Sequence, residues 1–197
     1  MEAVHPNAAK ILRQADIPLR IKNTFDPADP GTLICSEIAR ETARAEIITG
    51  LPTVFALDVF EQDMVGVKGY DAAILEALTR HDIRIVSKCS NANTITHYVD
   101  ASRKALKRAA AEIERTFGNA EVSTRKVSIV SVIGADLCLP GITAAATGAL
   151  HDKGIALLGI IQLMRHTDLQ MVVSEDLYDD AVKALHEALI ERSKAAS

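Results

Sequence analysis

Two hydrophobic periods alternate along this chain. Residues 53–60, 83–88, 94–99, 127–133, 155–161 and 169–173 are short apolar runs rich in Val, Ile, Thr, Phe or Tyr. Runs of that length between turn formers predict strands. Residues 71–80, 101–117, 142–152 and 177–192 space their apolar side chains three and four apart, which predicts helices. The longer helices carry stripes such as Ile113 and Phe117, or Val182, Leu185 and Leu189, that belong in a core. Residues 121–125 read as one more strand.

The elements repeat. A shift of about 72 positions lays Gly69 on Gly141, Ala72-Ala73 on Ala144-Ala145, Ala77-Leu78 on Ala149-Leu150 and Ile83 on Ile155. Each copy has the order β-α-β-β-α-β, which fits a ferredoxin-like α+β sandwich with antiparallel strands and two helices on one face. The second copy lacks its final strand, because the chain ends after the helix. The apolar run 46–49, closed by Gly50 and Pro52, stands just before the first copy and can fill that gap. The modules are then interlocked rather than strung in series, an arrangement that the family resemblance given below also implies, with the first module inserted in the second. The N-terminal stretch differs. Residues 6–15 form an amphipathic helix, 17–22 alternate like a strand, and 23–32 are turn formers. That stretch buries little alone and reads as the end of something larger.

Composition narrows the picture. The chain has 197 residues, 48% hydrophobic and 4% aromatic, and a net charge of −4. It is long enough for a core, too apolar for disorder, and without an apolar run of the ~20 residues a membrane span needs. The N-terminus lacks signal-peptide character. Three widely spaced cysteines, Cys35, Cys89 and Cys138, offer neither a disulfide framework nor zinc spacing, which makes the cytoplasm the expected location. Cys89 and Cys138 read as small packing residues. No basic block supports nucleic-acid or membrane binding.

Candidate chemistry lies at the strand-to-helix loops. Met64, Val65, Gly66, Val67, Gly69 and Tyr70 join the first strand to the first helix of the first copy. Glycines let a ligand approach the backbone there, and the helix N-terminus suits a carboxylate or phosphate. As a bare turn, the same loop only caps a helix. Leu139, Pro140, Gly141 and Ile142 hold the equivalent place in the second copy. The polar stretch Ser87, Ser90, Asn91, Ala92, Asn93 and Thr94 serves as a hairpin turn or, beside the first loop, as the wall of a pocket able to orient a zwitterion. His81 and His151 end helices, where imidazoles complement the dipole. His166 has no evident Ser, Cys or carboxylate partner. No catalytic constellation and no metal-ligand spacing is present. Gly66-Val67-Lys68-Gly69 matches a GxxG nucleic-acid clamp, but the charge and the scarcity of aromatics oppose that use.

The segments Ile17-Pro18-Leu19-Arg20-Ile21-Lys22-Asn23-Thr24-Phe25 and Pro30-Gly31-Thr32-Leu33-Ile34 resemble the end of the kinase domain of aspartokinases. The two repeats resemble the tandem ACT modules that follow it. Asp63-Met64-Val65-Gly66 and the stretch from Ser87 to Tyr98 are similar to the branch associated with ectoine gene clusters. The resemblance implies five parts: 1–45 as the end of an amino-kinase domain and linker, 46–50 as the strand completing the second ACT module, 51–125 as the first module, 126–192 as the second, and 193–197 as a disordered tail.

Aspartokinases phosphorylate the side-chain carboxylate of aspartate with ATP, on the way to lysine, threonine and methionine, and their ACT modules bind an end-product amino acid. The resemblance therefore implies an allosteric regulatory part, binding an effector of the threonine or lysine class, pairing as a homodimer and acting on a kinase domain. The effector positions carried over are Met64, Val67, Gly69, Tyr70, Val86, Ser90, Asn91 and Ala92. No phosphate-binding loop is present, so ATP and Mg belong to the absent kinase domain, the chain alone is expected to be inactive, and Met1 reads as an added or internal start. The alternatives are a stand-alone amino-acid sensor and an RNA-binding module.

Overall fold

A computed structural model describes residues 4–35, 44–138, 141–164 and 166–191. The expected tail, 193–197, lies outside them, as do Leu139 and Pro140. The chain forms two compact units, residues 1–41 and 42–197.

In the first unit, helix α1 (Pro6–Gln14) starts on a proline and is capped by His5, whose Nδ1 accepts the Asn7 N–H. Strand β1 (Leu19–Ile21) pairs antiparallel with β2 (Thr32–Ile34), a strand that the turn-rich sequence hides. The ten-residue connection is tied by its own polar groups: Asn23 Oδ1 accepts from Phe25 N, and Asp29 Oδ1 from Gly31 N. No residue of α1 is buried.

The second unit is built on two long strands. The break expected at Gly50 and Pro52 does not occur. Strand β3 (Arg44–Phe60) runs through both, and β6 (Glu121–Ala135) likewise joins two runs read as separate strands. Pro52 is accommodated at a register shift between Leu51 and Val54, and its carbonyl accepts from the fully buried Ser128 hydroxyl. The remaining elements are α2 (Tyr70–Arg80), β4 (Arg84–Ser90), β5 (Thr94–Asp100), α3 (Arg103–Thr116), α4 (Ile142–Asp152), β7 (Gly159–Gln162), β8 (Asp168–Ser174) and α5 (Tyr178–His186). A π-helical turn, Glu187–Glu191, continues α5. Among the described residues the strands form one six-stranded antiparallel sheet in the order β4-β5-β3-β6-β8-β7.

Each half of that sheet is ferredoxin-like. The C-terminal half of β3 pairs with β5 and with residues 121–127. The N-terminal half, Ile47 to Leu51, pairs with Ile133 to Ile129 of β6. Phe55, Leu57 and Val59 face the first helical layer with Ile74, Leu78 and Ile113. Val130, Val132, Met171 and Val173 face the second with Leu150 and Leu185. The opposite face closes on itself. Val54, Ala56 and Tyr98 pack with Val127, Ile129 and Val172, and the sheet curls until its wings meet. There, Ser87 Oγ of β4 donates to Gln170 Oε1 of β8 at 2.8 Å. Gly159 of β7 leaves room for Tyr98 Oη, which would lie 2.9 Å from an added Cβ.

Candidate functional site

The loop after β3 is fixed at both ends. Glu61 N donates to Asn93 O at 3.0 Å, and the Glu61 carboxylate accepts from Tyr70 Oη at 2.6 Å. That bond holds the Tyr70 phenol above its usual range. The Tyr70 ring also stacks on Phe117, with centroids 4.3 Å apart. Between these anchors, Gln62–Met64 forms a 3₁₀ turn that drives Met64 into the core. Gly69 takes φ 101°, a left-handed conformation that turns the chain into α2. Among the described residues no side chain caps α2, so its first-turn N–H groups look out of the loop.

The opposite wall is the β4–β5 turn. Asn91 Oδ1 accepts from the N–H groups of Asn93 and Thr94, which locks the turn. Loop and turn enclose a cleft of about 290 Å³. Met64, Gly66, Val67, Gly69, Tyr70, Ser90, Asn91 and Ala92 line it, together with Asp71, Lys88 and Ile95.

Five predicted positions lie elsewhere. Val65 is exposed. Val86 packs against the opposite face of the sheet, and Ser87 reaches Gln170 there. Asn93 and Thr94 build the frame of the turn: the Asn93 carbonyl holds Glu61, and Thr94 pairs with Phe60.

In the charged floor of the cleft, sequence reasoning points to Asp71 as a candidate source of charge but misses Lys88 and His97. Lys88 Nζ donates to Asp71 Oδ2 at 2.5 Å. Beneath them, His97 is fully buried, its Nε2 3.7 Å from Asp71 Oδ1. Among the described residues, neither ring nitrogen of His97 has a hydrogen-bond partner, nor has the buried Asp71 Oδ1. Burial lowers the His97 pKa from 6.5 to about 4. Asp71 opposes that shift and Lys88 adds to it. The available signal was register: His97 pairs with Lys88 across β4–β5 and with Leu57 across β3–β5, which sets it on the helix-covered face.

The second-module loop is arranged differently. Gly141 precedes α4, which Ile142 opens. Leu137 is fully buried, its N–H bonds His166 O, and its carbonyl accepts from Gln162 Nε2 at 3.1 Å. His166 does have a cysteine neighbour: its Nδ1 contacts Cys138 Sγ, because the β7–β8 turn folds over the loop. Cys138 and Cys89 are exposed rather than packed, the latter because β4 is an edge strand. His81 ends α2, and its ring meets Glu112 at 2.9 Å. Among the described residues no cluster of His, Cys, Asp or Glu could hold a metal ion, and no helix is long and apolar enough to cross a membrane.

Comparison with known proteins agrees with this architecture. Residues 122–187 match the ACT domain family. The sequence is 47% identical over 191 residues to aspartate kinase Ask_Ect of Stutzerimonas stutzeri, covering 97% of this chain and 40% of that protein. The fold matches Clostridium acetobutylicum aspartate kinase with a TM-score of 0.82 at 22% identity, over 96% of this chain and 45% of the other. It also matches the regulatory subunit of aspartate kinase from Thermus flavus with a TM-score of 0.63 at 15% identity, over 74% of this chain and 98% of that one. Two interlocked βαββαβ units on one sheet thus define a tandem ACT-domain chain. Within that class its sequence is similar to part of an aspartate kinase, and it spans less than half the length of the curated relative it matches at 47% identity.

Proposed function

We propose that this chain binds a free amino acid in the first-module cleft and relays its occupancy, as feedback control, to an aspartokinase catalytic domain that makes 4-phospho-L-aspartate from ATP and L-aspartate. One observation carries the reading: a small cleft that sets an uncapped helix N-terminus opposite a polar turn. The N–H groups of α2 suit an α-carboxylate. Ser90 and Asn91 offer hydroxyl and amide groups to the rest of a zwitterion. A volume of about 290 Å³ suits an amino acid better than a nucleotide or a peptide.

The effector belongs to the threonine or lysine class of aspartate-derived products, and copies of the chain pair through their ACT modules as a homodimer. Binding favours one arrangement of the modules, and a coupling of about 1–3 kcal/mol is enough to regulate an attached kinase. The test is thermal unfolding of the purified chain with lysine, threonine, methionine, aspartate and ectoine. A ligand at about 100 times its Kd adds about 2.7 kcal/mol, a rise of roughly 5–10 °C for a chain of this size. An unfolding temperature that stays flat across the whole panel refutes amino-acid binding by this chain.

A further inference from the structure

We infer that the Asp71–Lys88 pair makes the cleft selective for amino acids with uncharged side chains, because the pair already occupies the carboxylate that a cationic side chain would need. This inference rests on the amino-acid reading above and names the ligand class.

Among the described residues, Asp71 is the only acidic one lining the cleft, and Lys88 the only basic one. Each oxygen of the Asp71 carboxylate is accounted for. Oδ2 accepts from Lys88 Nζ at 2.5 Å. Oδ1 is buried and faces the His97 ring, so a ligand in the cleft does not reach it. His97 is neutral near pH 7, since burial lowers its pKa to about 4. Asp63 and Lys68 sit on the same loop but do not line the cleft.

The floor is therefore a neutral, partly exposed ion pair. A second ammonium has to displace Lys88 or share one carboxylate with it. The first loses the ion pair and the second meets the like charge of Lys88, and because the pair is partly exposed either penalty is about two- to fivefold in affinity. An uncharged side chain displaces nothing. Lys88 thus stands inside the protein where the ammonium of a basic ligand would otherwise sit.

The test is calorimetric titration of the whole chain with L-threonine, L-norleucine and L-lysine, for wild type, Lys88→Met and Lys88→Arg. Norleucine shares lysine's chain and lacks its ammonium. Wild type is expected to bind at least one uncharged amino acid about two- to fivefold tighter than lysine. Lys88→Met frees Asp71 Oδ2 and is expected to raise the affinity for lysine relative to norleucine in the same variant by about two- to fivefold. Lys88→Arg keeps the pair and the discrimination. Lysine binding to wild type as tightly as the uncharged ligands, or showing no gain in Lys88→Met, overturns the inference while leaving the amino-acid site in place. Absence of binding by any amino acid in all three proteins overturns the reading beneath it.

Discussion

His97 links the candidate site to stability, and the link can be measured through pH. Its ring is enclosed by Asp71 of α2, Lys88 of β4 and Leu57 of β3. The folded pKa is about 4, against 6.5 when the chain is unfolded. Above pH 6.5 the ring is neutral in both states, and its full contribution to stability is present. As pH falls from 6.5, the unfolded chain takes up the proton first, and stability drains away until the folded ring also titrates near 4. At 1.36 kcal/mol per pH unit, that interval corresponds to about 3 kcal/mol.

The assay is urea unfolding of wild type and His97→Gln at intervals from pH 7.5 to pH 4. Carboxylates titrate in both proteins, so the difference between the two curves isolates the imidazole. Relative to the variant, wild type is expected to lose about 3 kcal/mol between pH 7 and pH 4, or roughly 6–12 °C in Tm for this length. Curves that stay parallel within about 0.5 kcal/mol refute a buried neutral imidazole.

Three further outcomes follow from packing and hydrogen bonding. Gly50→Ala places a Cβ 2.2 Å from Ile129 O, so β3 and β6 must separate; the expected loss is about 2–3 kcal/mol, and an unchanged urea midpoint contradicts the tight approach. Tyr70→Phe removes the donor to the nearly buried Glu61 carboxylate; a lower urea midpoint is expected, and an unchanged midpoint contradicts a stabilising role for that bond. Ser102→Ala removes the N-cap of α3, whose Oγ accepts from Ala105 N at 3.2 Å; a fall in Tm of about 2–4 °C is expected by calorimetry.

The elements were legible wherever periodicity decided them. Residues 94–99 and 169–173 are short apolar runs between turn formers, and both became central strands of their modules. Where two strands join end to end, the sequence misleads. Gly50 and Pro52 carry the usual marks of a stop, yet the Ser128 hydroxyl and a register shift absorb the proline, and pairing resumes at Val54. The hydroxyl donor lies 76 residues away, beyond the reach of any local pattern.

The cleft was half legible for a similar reason. Gly66, Gly69 and Tyr70 announce themselves by turn chemistry and by position in the repeat. Lys88 and His97 look like ordinary alternating strand residues. Only the cross-strand register and the placement of Asp71 on the first turn of α2 bring the three together. Val86 and Ser87 failed in the other direction. A register shift between Ile85 and Ser87 assigns both to the curled face, where they join the two modules.

The two long shared strands also set an order of assembly. The first module uses one uninterrupted stretch of chain, so it can close as soon as residue 127 has emerged from the ribosome. The second cannot. Thr49 must wait for Ser131, about 80 residues later, and until then residues 47–51 hang from a finished module as an unpaired edge. A nascent chain stalled in that interval presents Ile47, Ile48 and Leu51 as an open template to any neighbouring strand. Yield of this protein should therefore respond to the speed at which β6 is translated, even where the stability of the finished fold is unchanged.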